Sequence, residues 1–211
     1  MENKLAKGRL AITLSKLEGF PTAKAKQEQY TTDSEIAAEV LTNILGDFAD
    51  KVVVDLGAGT GILGIGSLLC GAKEAVFVEQ DASALAVAEK NYEKVRSEFS
   101  IGKATFVNKN VIEFCHNADI AVMNPPFGTK QEHADKKFLE KAFNIAPVVY
   151  SFHKTSTKKF VEAISKDHGF TITHSWDFEF PLKQTMKFHE QRIKKIAVTA
   201  FRLERKMSQS L

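Results

Sequence analysis

The sequence predicts an α/β fold: a mostly parallel, seven-stranded sheet with helices on both faces, finished by an antiparallel strand pair. Three observations predict it. From residue 51 to 152, short apolar runs alternate with helical patterns, as buried parallel strands require. A glycine-rich turn follows the first of those runs directly. After residue 169 the pattern changes to alternation of apolar and polar positions, the signature of strands with two different faces.

The elements follow in order. Leu10, Leu14 and Leu17 recur at helical spacing until Gly19-Phe20-Pro21 breaks the pattern, so residues 1–30 read as a helical N-terminal extension. Thr32-Asp33-Ser34-Glu35 has the form of a capping box, ahead of a helix with the apolar stripe Ile36, Val40, Leu41, Ile44, Leu45 and Phe48. Val52–Val54 is the first buried strand. Residues 61–70 form a helix, Ala75–Val78 a strand and Ser83–Phe99 a long helix. Ala104–Val107 and Ile120–Met123 are two more strands, Phe138–Phe143 a helix and Pro147–Phe152 a strand. Phe170–Phe180 and Ile193–Leu203 form the antiparallel pair. Residues 31–211 then make one domain, long enough to bury a sizeable core.

Composition narrows the class. No apolar run approaches the roughly 18 residues of a membrane span, and the start, Met1-Glu2-Asn3-Lys4, lacks a basic-then-apolar leader pattern. Cys70 and Cys115 are isolated, with no metal or redox spacing, which fits structural thiols in a reducing, cytoplasmic setting. Charge is unevenly spread. Residues 31–152 carry 11 basic and 17 acidic side chains; residues 1–30 carry 6 and 3, and residues 153–211 carry 12 and 6. The middle is acidic and the flanks are basic, so flanks folded onto one face would attract a polyanion. Lysines that merely solvate surface helices would give the same count.

The first chemical signal is Asp55-Leu56-Gly57-Ala58-Gly59-Thr60-Gly61, at the end of the first strand. Glycines there let the backbone approach a ligand closely. Gly59 to Gly64 also satisfies the dinucleotide fingerprint, but Asp55 on the strand end would repel a pyrophosphate. It can instead serve the ammonium end of S-adenosylmethionine. Glu79 ends the next strand, 24 residues on, where a carboxylate accepts ribose hydroxyl protons; Asp81 is the second candidate. Ile62, Leu63, Gln80, Asn110 and Val111 complete the expected cofactor contacts.

The second signal is Asn124-Pro125-Pro126-Phe127, which follows the strand Ile120–Met123. Consecutive prolines supply no backbone donors and hold a rigid, extended segment. The segment therefore offers acceptors, the Asn124 side-chain carbonyl and the Pro125 main-chain carbonyl. An exocyclic amine on a nucleic-acid base is a poor nucleophile with two N–H groups. Two fixed acceptors would aim its nitrogen and stabilise the positive charge that develops there. Phe127 supplies a face on which a flipped base can stack.

The Asp-x-Gly-x-Gly-x-Gly turn resembles the first motif of class I, Rossmann-like methyltransferases. With Glu28-Gln29-Tyr30, Met123–Lys130, Tyr150-Ser151-Phe152-His153-Lys154 and Lys187-Phe188-His189 added, most of the chain resembles an archaeal-type member of the methyltransferase-like protein five family. That family consists of adenine-N6 methyltransferases of small-subunit ribosomal RNA. The resemblance implies that Gln29, Tyr30 and Thr32 help close an S-adenosylmethionine site and that Asn124 and Phe127 hold the adenine. It implies that Lys130, His153, Lys154, Lys187 and His189 lie near RNA. It also raises a small zinc-binding activator of the Trm112 type as a partner, with Ala104, Phe106 and Val107 as the docking edge. Asn110 departs from the pattern, standing where the family usually has an adenine-binding aspartate; it can contact the cofactor's amine only without charge.

Other readings stay open at this point. A glutamine-N5 protein methyltransferase faces the same chemistry, although that group typically has tyrosine at the position of Phe127. A non-catalytic RNA-binding scaffold could keep the same fold. His116, His133, His168 and His174 show no metal-ligand spacing.

Overall fold

The computed structural model describes residues 6–20, 32–44, 46–126, 134–182 and 194–206. Gln29, Tyr30, Phe127, Lys130, Lys187 and His189 lie outside the described residues.

Seven strands form one sheet: β1 (Val52–Leu56), β2 (Glu74–Glu79), β3 (Lys103–Asn108), β4 (Ile120–Met123), β5 (Val148–Lys154), β6 (Phe170–Leu182) and β7 (Lys194–Arg205). Their order is β3-β2-β1-β4-β5-β7-β6. The first five are parallel, while β7 runs antiparallel to both β5 and β6. The helices are α1 (Lys7–Ser15), α2 (Ser34–Thr42), α3 (Ile62–Leu69), α4 (Ala82–Glu98), α5 (Ala134–Ile145) and α6 (Lys158–Asp167). Two apolar clusters lie on the sheet. One contains Leu10 and Leu14 of α1, residues of α2 and α3, and Phe77, Tyr150 and Phe152. The other contains Leu139, Ala142 and Phe143 of α5, Val161 and Ile164 of α6, and Val54, Met123 and Val149. β1 and β4 are buried on both faces, which explains why they read as continuous apolar runs.

The seven strands and their directions match the sequence expectation; three details differ. Helix α6 was not expected, because Lys158, Lys159, Glu162, Lys166 and Asp167 hide a narrow stripe of Val161 and Ile164 that faces the sheet. Helix α2 stops at Thr42, so Ile44 and Phe48 fall beyond it, although Phe48 remains fully buried. The cap of α2 is Asp33 rather than Thr32: the Asp33 carboxylate accepts the Glu35 and Ile36 N–H groups at 3.0 and 3.2 Å. A carboxylate at a helix N-terminus gains from the dipole as well as from the hydrogen bonds, so it wins the cap and leaves the Thr32 hydroxyl for another partner.

β6 contains a feature that alternation alone would not show. Ile172 pairs with Leu203 but His174 pairs with Arg202, so Thr173 is an extra residue in the ladder. One extra residue exchanges the two faces of a strand. Phe170 and Ile172 therefore pack into the α5–α6 cluster, while Trp176, Phe178 and Phe180 pack into the α1–α3 cluster. The strand pair helps to close both cores.

Where Asp47 meets β5 and β7, its carboxylate accepts the Tyr150 hydroxyl at 2.6 Å and the Arg202 Nε–H and Nη2–H at 2.8 and 3.1 Å. Arg202 is 8% exposed and also donates to Thr173 and Glu204. Burial pushes the Asp47 carboxyl up, but the hydrogen bonds from Arg202 and Tyr150 overcome it and hold the group below the usual carboxylate range. Asp47→Ala should destabilise the fold by about 3 kcal/mol at pH 7, because it removes the more buried of the two carboxylates that pair with the Arg202 guanidinium, and with it the acceptor of the Tyr150 hydroxyl. A depressed folded pKa stabilises above the unfolded value of about 3.9 and loses that contribution as pH falls through the folded value. The difference between wild type and Asp47→Ala in urea unfolding should therefore shrink below about pH 4; a constant difference across pH would show that the carboxylate charge is not what matters.

Candidate active site

The chain runs outward from β1 to β3, then returns to place β4 on the other side of β1. Connections leaving the carboxyl ends of β1 and β4 therefore diverge, and the fold opens a crevice there. Asp55, Glu79, Asn108 and Asn124 stand at or just beyond the carboxyl ends of β1, β2, β3 and β4.

Gly57, Gly59 and Gly61 hold φ values of 72°, 54° and 88°. Gly61 is the N-cap of α3, and it has no side chain with which to satisfy the first-turn N–H groups. Asp55 supplies the acceptor from the strand: its Oδ2 takes the Gly64 N–H at 2.8 Å. The carboxylate is 1% exposed, and burial pushes it up to about 7; the Gly64 hydrogen bond opposes this and the nearby charge of Glu79 adds to it. Glu79 ties two turns together, with Oε2 accepting the Gly59 N–H and Oε1 the Asp81 N–H, both at 2.9 Å. Asp81 is turned away to cap α4 through Ser83. Of the two acids, Glu79 is the one that faces the glycine turn.

Around the next turns, Asn108 Nδ2 donates to the carbonyls of Glu79 and Gln80, an arrangement with no motif to reveal it in the sequence. Asn110 uses its carbonyl to accept the Ile112 N–H and its amide to reach Gln80 Oε1 at 3.1 Å. Val111 is buried beside them. Gln80, Asn110 and Val111 thus gather in one corner of the crevice.

Asn124 is oriented by a residue 92 positions away: its Nδ2 donates to Thr32 Oγ1 at 3.0 Å. The amide is thereby fixed with Oδ1 on the other side, buried and without a hydrogen-bond partner among the described residues. A buried acceptor left unsatisfied costs free energy, so one held in place by its own NH2 group is an acceptor awaiting a donor. Pro125 is buried and Pro126 half-buried behind it. A small cavity of about 40 Å³ is lined by Thr32, Asp55, the glycine turn, Ile62, Leu63, Asn124 and Phe20. Phe20 was not singled out from the sequence, where Gly19-Phe20-Pro21 reads only as a helix stop.

His153 and Lys154 end β5, next to β4. His153 is 2% exposed, its Nε2 lies 2.6 Å from Ser151 Oγ, and burial pushes its pKa down to about 3. A neutral, enclosed ring offers no charge to a polyanion, and Lys154, half-buried beside it, is the group of the two nearer to solvent.

Residues 30–148 match the methyltransferase small domain family. The chain is 35% identical to protein MJ0284 of Methanocaldococcus jannaschii, over 95% of each chain. It is 33% identical to the rRNA N(6)-adenosine-methyltransferase METTL5 of Danio rerio, over 92% of this chain and 96% of the relative. It is 33% identical to the Drosophila melanogaster enzyme of the same name, over 90% and 92%. The crystal structure of PH1948 from Pyrococcus horikoshii superposes with a TM-score of 0.86 at 41% identity, covering 95% of this chain and 98% of that one.

The raised Asp55 pKa yields a prediction. Its ionised form is disfavoured in the folded state, so the penalty is absent below the unfolded value of about 3.9, grows from there to pH 7, and is complete above it. Asp55→Asn keeps an acceptor for the Gly64 N–H and removes the charge. The ligand-free variant should melt above wild type at pH 8, by roughly 2–4 °C for each kcal/mol relieved, with the gain vanishing near pH 4. A melting point lowered at pH 8 would show that the charge supports the α3 cap instead.

Proposed function

The chain belongs to the methyltransferase small domain family and, within it, to the METTL5 group, and from that premise we propose that it transfers a methyl group from S-adenosylmethionine to the N6 amine of an adenine in ribosomal RNA. The observation that carries the reading is Asn124 Oδ1, a buried acceptor fixed by Thr32 and without a donor among the described residues.

The residues at the crevice suit this cofactor. Asp55 places a buried carboxylate where an ammonium group would lower its cost of ionisation. Glu79 uses one backbone N–H per oxygen and keeps a further lone pair on each for ribose hydroxyls. Asn110, with Oδ1 already accepting one N–H, retains one lone pair for an adenine amine. When bound, the cofactor supplies an electrophilic methyl on a sulfonium.

This chain's residues would then act on the substrate base. Asn124 Oδ1 accepts one N–H of the adenine amine and the Pro125 carbonyl accepts the other, which presents the nitrogen lone pair. As positive charge grows on nitrogen, both carbonyl dipoles stabilise it. Phe127 provides the stacking face for the flipped base. No strong base is needed, since the amine proton becomes acidic once the methyl has been transferred. Lys130, Lys154, Lys187 and His189 are assigned to the RNA backbone, where cations displace condensed counterions. A zinc-binding activator of the Trm112 type is assigned to β3, an edge strand whose Ala104, Phe106 and Val107 are partly exposed; strand edges accept a partner's backbone.

Two measurements test these assignments. Under single-turnover conditions with saturating cofactor, Asn124→Ala should slow methylation by roughly 10²–10³ and leave cofactor affinity nearly unchanged. Asn124→Asp keeps both acceptors and should fall between alanine and wild type. A wild-type rate in Asn124→Ala would reduce the Asn-Pro-Pro-Phe segment to a turn. For the partner, light scattering of the chain mixed with a Trm112-type protein should give a one-to-one complex; two separate species would remove β3 as its docking edge.

A further inference from the structure

The cofactor site has a wall that the motifs do not mention. After α1 the chain continues through Lys16 and Leu17 to Glu18, Gly19 and Phe20, and it is fastened to the body at Glu18. The fastener is Asn91, in the middle of α4 and 1% exposed. Its Oδ1 accepts the Glu18 N–H at 2.8 Å and its Nδ2 donates to the Glu18 carbonyl at 3.0 Å, so one side-chain amide pairs with both backbone groups of one residue. The same Nδ2 donates to the Thr60 carbonyl at 2.9 Å, inside the glycine turn. Lys94, three residues further along α4, donates to the Lys16 carbonyl at 2.8 Å. The arm, the glycine turn and α4 are joined at a single buried amide.

Phe20 is carried two residues beyond that joint. Its Cζ lies 2.9 Å from the place a Cβ on Gly59 would take, so the ring rests on the bare α-carbon of the turn. Gly59 is thus required twice, by its φ of 54° and by the ring above it. The ring shares its cavity with Asp55, Thr32 and Asn124. We infer that Phe20 is a wall of the cofactor site and that Asn91 is its positioning residue. A buried amide with all of its donors and its acceptor engaged holds the arm in one place, so the ring is in position before any ligand arrives. An aromatic face beside a buried carboxylate suits a ligand that is cationic yet carries apolar carbon, and it keeps water from the turn. This inference rests on the S-adenosylmethionine reading above.

Calorimetry on the full chain tests it, with S-adenosylmethionine as the probe for wild type, Phe20→Ala, Phe20→Leu, Asn91→Ala and the Phe20→Ala/Asn91→Ala double variant. Phe20→Ala should raise the Kd by roughly tenfold, the scale of a lost aromatic contact, and Phe20→Leu by less. Asn91→Ala should also raise it, and the double variant should bind no worse than Phe20→Ala, because Asn91 acts through the ring. In the ligand-free protein, hydrogen exchange at the Glu18 amide should accelerate in Asn91→Ala and stay at the wild-type rate in Phe20→Ala. Phe20→Ala binding as well as wild type overturns the wall, and tighter binding shows instead that the ring obstructs the site. Additive losses overturn the positioning role. If Asn91→Ala fails to fold, the half-buried Phe20 pair decides by itself. Absence of binding by wild type would overturn the cofactor reading itself, an outcome separate from wild type binding while Phe20→Ala is unchanged.

Discussion

Two buried carboxylates hold the glycine turn in the shape on which the site depends. The turn needs positive φ at three glycines, and glycines cannot cap the helix they introduce. Asp55 caps α3 from the neighbouring strand, through the Gly64 N–H, and Glu79 binds the Gly59 N–H while also holding the Asp81 N–H. Each carboxylate therefore does for the backbone what a local serine or aspartate does in an ordinary cap. The cost is two acids close together in a dry place, visible in the raised Asp55 pKa. Groups strained in this way gather where a ligand is to be bound, because the ligand's own charge can relieve them.

The same logic extends across the crevice. Asn124 stands at the end of β4 with its NH2 group committed to Thr32, and Thr32 is available only because Asp33 took the cap of α2. A choice made at one helix end thus orients a carbonyl on another strand. The arm before α2 is bound by Asn91 to the glycine turn, so N-terminal residues reach the site by two independent routes. The first parallel strands supply the acids, and the segments ahead of them supply the cover. The C-terminal strand pair contributes differently, since the extra residue at Thr173 lets β6 serve both apolar clusters.

Much of this was legible in the sequence, for physical reasons. Strands buried on both faces must be apolar throughout, which is why Val52–Val54 and Ile120–Met123 could be read directly. Asp55, Glu79 and Asn124 sit on strand ends, and such positions carry a recognisable local spacing. What could not be read was made by contacts distant along the chain. Asn91 is an asparagine within a long helix and Phe20 an aromatic next to a proline; nothing local distinguishes either from surface and packing residues. Helix α6 was missed because its apolar stripe is only a few residues wide. Family resemblance points to His153 as a residue near RNA; strand alternation alone does not reveal that its ring is buried beside Ser151 and Phe201.

We propose that the acceptors at Asn124 and Pro125 direct methylation to an adenine amine of ribosomal RNA. Mass spectrometry of nucleosides from purified ribosomal RNA tests it most directly, comparing the parent strain with one that lacks this chain. One N6-methyladenosine should disappear in the deletion strain, return with the wild-type gene and fail to return with the Asn124→Ala gene. An unchanged N6-methyladenosine content in the deletion strain, or full restoration by Asn124→Ala, would contradict it.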